Sequence, residues 1–133
     1  MKAYVVRKGS KGLEGVTPVE KPEPEPGPGE ILVRMRAASI NYRDHLVYSG
    51  QYFGQEVAED TIALSDGAGE VVEAGANVAR FKKGDRVLGA FFRDFVEGLP
   101  PWPARAEALG QSGVDGVLAE YVVFNEQNAV PVP

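Results

Sequence analysis

The sequence predicts a mainly β domain, an irregular and partly open barrel carrying only short helices. Three observations lead there: segments with β character recur along the chain, Gly and Pro (16 and 10 of 133 residues) punctuate them, and the helix-prone stretches last one or two turns. The length fits one domain over residues 1–133, long enough to bury a core. With 44% hydrophobic and 25% charged residues, the composition is that of an ordinary globular protein.

Ala3-Tyr4-Val5-Val6-Arg7 is rich in β-formers and stops at Lys8-Gly9-Ser10, so it reads as a first strand. Lys21 to Gly29 alternates Pro with Glu and Gly. Proline fixes φ and removes donors, which makes this a stiff extended connector in preference to a polyproline ligand. Glu30 to Ala37 is a long strand. Leu32 and Arg34 are expected on one face, Val33 and Met35 on the other, and the arginines at the rim. Asn41 to Tyr48 reads as a short helix, with Asn41 as N-cap, Asp44 as first-turn charge and Ser49-Gly50 as terminator. Residues 67–75 form a Gly-bounded strand, and Gly84 to Gly89 a turn feeding another. Ala104 to Leu109 is helix-prone. Val117 to Phe124 is a strong strand, followed by a weaker one near Asn128 to Val130.

The formal net charge is −5 with basic residues scattered, so no phosphate-binding face is suggested and nucleic acid is excluded as a partner. No run approaches the ~20 apolar residues of a bilayer span. A cytoplasmic location is the default expectation. The chain has no Cys and one His, His45, which removes disulfides, thiol nucleophiles, Fe–S clusters and Cys-type zinc sites. Gly67-Ala68-Gly69 lacks the third glycine of a dinucleotide fingerprint, since position 72 is Val. Its glycines read as close packing or a bulge within a sheet. Ser65-Asp66 stands outside any Gly-x-Ser-x-Gly elbow and reads as a turn or the polar wall of a pocket. Asp44 and His45, adjacent on a helix, point about 100° apart, so a side-by-side acid–base pair is excluded and His45 reads as a surface residue.

The order and spacing of several segments carry a resemblance. They are Met1-Lys2-Ala3-Tyr4, Pro26 to Arg34, Ala38-Ser39-Ile40-Asn41-Tyr42-Arg43-Asp44, Leu64 to Val72, Val78 to Val87 and Gly116 to Val122. Together they resemble the N-terminal, GroES-like catalytic domain of the medium-chain dehydrogenase/reductase superfamily, over essentially the whole chain. In the zinc enzymes of that superfamily a Cys-His-x-Asp segment and a Gly-His-Glu-x-x-Gly segment supply the metal ligands. The matching places here put Asn41 where the ligand Cys stands and Ser65 where the ligand His stands. Asp66 falls on the carboxylate beside the metal and Asp44 on the second-shell aspartate. The four-cysteine structural zinc lobe is absent. Amide and hydroxyl oxygens are poor zinc ligands, so the resemblance points to the zinc-independent branch, similar to quinone oxidoreductases and enoyl reductases, with no metal.

That resemblance implies hydride transfer between NADPH (or NADH) and a small carbonyl, quinone or alcohol substrate. It implies catalytic roles for Asn41, Arg43 and Asp66, and cofactor contacts from Asn41, Tyr42 and Tyr52. Asn41 would donate near the nicotinamide or the substrate carbonyl, Tyr42 falls where a cofactor-phosphate histidine stands, and Arg43 falls where a hydroxyl proton relay stands, so that the relay is lost and Arg43 would instead contact an anionic part of cofactor or substrate. Tyr52 would line the cleft. The Rossmann domain of the superfamily would follow Pro133, so the expectation is a chain inactive alone, with no cofactor held tightly. A returning segment normally covers part of the barrel, and without it an apolar face admits self-association into a homo-oligomer. The alternative function is a non-enzymatic GroES-like protein-interaction module.

Overall fold

A computed structural model describes residues 1–93, 95, 97–98 and 107–133. The strands are β1 (Lys2–Val6), β2 (Val16–Glu20), β3 (Glu30–Ser39), β4 (Thr61–Ile62), β5 (Asp66–Ala74), β6 (Arg86–Gly89), β7 (Tyr121–Asn125) and β8 (Ala129–Pro131). The α-helix is α1 (Tyr42–Tyr48). Three strands pair in the order β2-β1-β4, and five in the order β7-β3-β5-β6-β8, every neighbour antiparallel. The result is a mainly β, curled half-barrel of the GroES-like kind, as the sequence predicts.

β3 lies between β7 and β5 in the larger sheet, and two bulges interrupt its pairing with β5, one between Leu32 and Val33 and one between Met35 and Ala37. Opposite the second bulge sits Gly69, where a Cβ would lie 2.3 Å from the Arg34 carbonyl oxygen. The glycine therefore permits close backbone approach, which is the role its sequence context suggested. Ile31, Leu32 and Val33 are all buried, so the expected alternation of faces fails at the start of β3. Arg34 and Arg36 are exposed, and Arg36 pairs with Glu70 across the sheet at 3.2 Å. The main core gathers Val6, Ile31, Val33, Val71, Val87, Val117 and Phe124 between the two sheets, while Ala3, Val5 and Ile62 form a smaller satellite.

Several sequence expectations need correction. Val117 to Phe124 is not one strand. Val117 donates to the Ala63 and Leu64 carbonyls, Ala119 bridges Ala3, and regular pairing with β3 begins only at Tyr121. The segment leaves one sheet for the other halfway along. The helix-prone piece has Ala104 to Ala106 outside the described residues, while Ala108 makes a bridge with Phe92 and Leu109 lies in a turn. β2 and β4 were not foreseen. The Pro-rich connector has no regular structure, as expected, and α1 and its ends lie where the sequence puts them. No helix among the described residues is long and apolar enough to cross a membrane.

The chain passes from the small sheet to the large one through Ala63, Leu64 and Ser65. Leu64 adopts φ +69, a conformation that costs a β-region side chain roughly 1–3 kcal/mol. It is held by Val117 N–H on its carbonyl (3.0 Å) and by Gly116 N–H on the Ile62 carbonyl (2.8 Å). A Cβ on Gly116 would stand 2.0 Å from the Leu64 oxygen and 2.6 Å from that of Ala63. Both obstacles are backbone and cannot rotate away. Gly116→Ala is therefore expected to destabilise the domain by about 3 kcal/mol, the upper end of overpacking penalties, read as a lowered urea midpoint at unchanged m-value.

Candidate functional site

The site forms where the N-terminus of α1 meets the N-terminus of β5. Asn41 is extended at φ −116, ψ 162, and its backbone N–H donates to Asp44 Oδ2 at 2.8 Å, which ties the cap to the first turn. Its side-chain Nδ2 donates to Asp66 Oδ2 at 2.7 Å across the gap between α1 and β5. Asn41 is half-buried and Asp66 exposed. Asp66 also lines an open cleft of about 370 Å³ on the large sheet, lined mostly by small residues (Ala37, Ala38, Gly67, Ala68, Gly89) together with Leu88.

Arg43 and Tyr52 also come together, in a second group. The Arg43 guanidinium carbon lies over the Tyr52 ring at 4.5 Å and over the Phe91 ring at 4.8 Å, and Nη1 donates to the Leu109 carbonyl at 2.8 Å. Tyr42 joins neither group: it is exposed, with its ring 6.0 Å from that of His45. His45 is a surface residue whose Nδ1 meets the Tyr48 hydroxyl at 3.0 Å. Ser65 is buried. Among the described residues, no three or more His, Cys, Asp or Glu side chains gather as a metal site.

Asp44 is the residue whose environment the sequence did not reveal. It is 3% exposed and lines an apolar cavity of about 250 Å³ beneath α1 with Val47, Tyr48 and Leu64, and its Oδ1 has no partner. Burial pushes its carboxyl above the usual aspartate range. The Asn41 backbone N–H and the Arg43 charge pull the other way, and the nearby Asp66 charge adds to the rise. Phe91 and Leu109 are the other contributors, which sequence reasoning named only as part of a segment, Phe91 to Val114, expected to shape the rim of the cleft. Both lie far along the chain in a segment without regular pattern.

A curled antiparallel half-barrel with a short helix capped beside the sheet is the architecture that the sequence resemblance leads one to expect. Residues 27–133 match the alcohol dehydrogenase GroES-like domain, and the chain belongs to that family. It is 36% identical over 131 residues, 98% of this chain and 37% of the relative, to a zinc-type alcohol dehydrogenase-like protein of Schizosaccharomyces pombe. Against the chloroplastic quinone-oxidoreductase QR1 of Triphysaria versicolor the identity is 34%, over 92% of this chain and 32% of the relative. Among solved structures, an NAD-dependent alcohol dehydrogenase superposes with a TM-score of 0.82 at 31% identity over the whole chain and 40% of its own. A glucose dehydrogenase of Haloferax mediterranei, in complex with NADP, Zn and gluconolactone, gives 0.80 at 26% over the whole chain and 39% of its own. The chain thus spans about a third to two fifths of the length of these relatives.

Asp44 generates a test with a definite sign. Because its folded pKa is raised, its contribution to stability is fully present below the unfolded value of 3.8 and is lost as pH rises through the folded value. Asp44→Asn keeps an acceptor for the Asn41 N–H but removes the ionisation. The variant should gain on the parent as pH rises from 4 to 7 in urea unfolding; a constant difference across that range would contradict the assignment.

Proposed function

We propose that the chain is the substrate-side domain of an oxidoreductase that moves hydride between NADPH (or NADH) and a small carbonyl, quinone or alcohol, without zinc, the cofactor being carried mainly by a Rossmann domain. The observation that carries this reading is the 2.7 Å contact from Asn41 Nδ2 to Asp66 Oδ2. At the positions where zinc relatives hold a metal, one side chain offers an amide N–H and the other accepts it, and Ser65 adds only a hydroxyl. A Zn²⁺ centre asks for thiolate, imidazole or carboxylate donors converging on one point. This donor set does not fit it, and no step is routed through a metal.

The small residues lining the cleft beside Asp66 suit a flat ring such as nicotinamide, which supplies or accepts the hydride when bound. The chain's own residues do the rest. Asn41 Nδ2 has two hydrogens and commits one to Asp66, which leaves the other for a carbonyl oxygen at the mouth of the cleft. A fixed N–H there favours the negative charge that develops on that oxygen during reduction. Asp66 keeps Nδ2 aimed and presents its other oxygen to solvent, where it can accept a proton from a hydroxyl substrate. Tyr42, exposed at the start of α1, would contact the outer part of a cofactor, and Tyr52, beside Arg43, would line the cleft and contact the cofactor. In this reading residues 1–133 are one domain, located in the cytoplasm and inactive alone. A free-standing interaction module is the rival.

Both readings meet the same experiment. The 133-residue chain should oxidise NADPH only at background with quinone, enone or aldehyde substrates. In a form that includes a dinucleotide-binding domain, Asn41→Ala should lower kcat about 10²-fold, the scale of one lost oxyanion donor. It should also cost about 0.5–2 kcal/mol of stability as a lost cap. A stability loss with unchanged kcat would remove the donor role from Asn41, and no turnover at all in the form with a dinucleotide-binding domain would favour the interaction module.

A further inference from the structure

The Arg43 guanidinium is only partly used. Nη1 is engaged by the Leu109 carbonyl, and the Tyr52 and Phe91 rings cover the guanidinium carbon. Nε and Nη2 are shielded from solvent and have no hydrogen-bond partner. These two atoms are not a random pair. Their N–H bonds run nearly parallel along one edge of the guanidinium plane and form the fork that grips a carboxylate through two parallel bonds. Among the described residues no carboxylate forms an ion pair with it. Asp44, next in the chain, influences it only at a distance, its own Oδ1 being unpartnered. A charged fork withdrawn from water and left idle is costly, and such groups in folded proteins have a reason.

We propose that the Nε/Nη2 edge of Arg43 is a receptor for the carboxylate of the substrate, which makes the substrate class a carboxylate-bearing carbonyl or enone in place of a neutral quinone. This rests on the reading of the α1–β5 face as the substrate side. Carboxylate is favoured over phosphate by shape. A planar anion lying in the guanidinium plane makes two parallel hydrogen bonds to Nε and Nη2, a match that a planar carboxylate offers more closely than a tetrahedral phosphate. Tyr52 and Phe91, the rings beside the guanidinium, are both half-buried side chains. Lysine could supply the charge here but not the two-pronged geometry.

The test observes the Arg43 Nε–H and nearby backbone amides by ¹H–¹⁵N NMR of the full 133-residue chain. Butyrate, methyl butyrate and inorganic phosphate are each titrated at constant ionic strength. Butyrate should shift the Arg43 Nε–H saturably, with methyl butyrate silent and phosphate weaker. R43K, its fold verified by its amide spectrum, should weaken butyrate binding about tenfold or more as read from the Tyr52 amide. The proposal is overturned if butyrate gives no saturable shift, if the ester matches the acid, if phosphate binds as well or better, or if R43K binds like the parent. Because no hydride transfer is read, failure here leaves the oxidoreductase reading standing; that reading falls on turnover measurements with Asn41→Ala.

Discussion

The step from β4 to β5 is the constraint on which the rest of the structure depends. Two sheets of different strand order share this stretch of chain, and only three residues separate pairing with β1 from pairing with β3. Leu64 turns the corner with a positive φ, and the turn is bearable because the 109–118 segment wraps it. Gly110 and Gly116 both press against Leu64 backbone, and Val117 and Leu118 donate to the carbonyls of the step. Asp115 joins the same knot by accepting the Ile62 N–H at 2.8 Å. Local strain is thus offset by a dense set of backbone contacts with a distant part of the chain.

That corner also decides where the chemistry lies. Ser65 and Asp66 emerge from it, Leu109 enters it, and α1 packs across its apolar side so that Leu64 and Asp44 line one cavity. Asn41 therefore meets Asp66, and Arg43 meets Leu109, as two consequences of a single backbone arrangement. A change at Gly116 would be felt at both contacts, although neither includes that residue.

Local features were legible in the sequence and the crossings between them were not. Asn41, Asp44 and Ser49-Gly50 mark the ends of α1 because capping is a property of neighbours in the chain. β3 and β5 declare themselves by length and β-forming residues. β2 hides because Pro18 interrupts its pattern, an edge-strand position where a missing N–H does no harm, and β4 is too short to show any period. Val117 to Phe124 misleads because apolar residues facing two successive sheets look the same as those facing one. The same limit applies to the site. The Asn41–Asp66 pair was approached through family motif positions, whereas the aromatic cover on Arg43 and the isolation of Asp44 depend on Phe91, Leu109 and the corner at Leu64. No spacing in the sequence advertises those contacts.

The first turn of α1 carries the central electrostatic argument. A metal centre would concentrate positive charge at one point and satisfy nearby carboxylates through its ligands. Here the work is divided among fixed side chains. In the zinc-free reading proposed above, Asn41 would supply neutral N–H dipoles and Asp66, which accepts one of them, would orient them, while Arg43 holds the full positive charge beside Tyr52 and Phe91. Asp44 is left with one oxygen on the Asn41 backbone and the other on an apolar cavity, which is why its carboxyl favours the protonated state more than an exposed aspartate does.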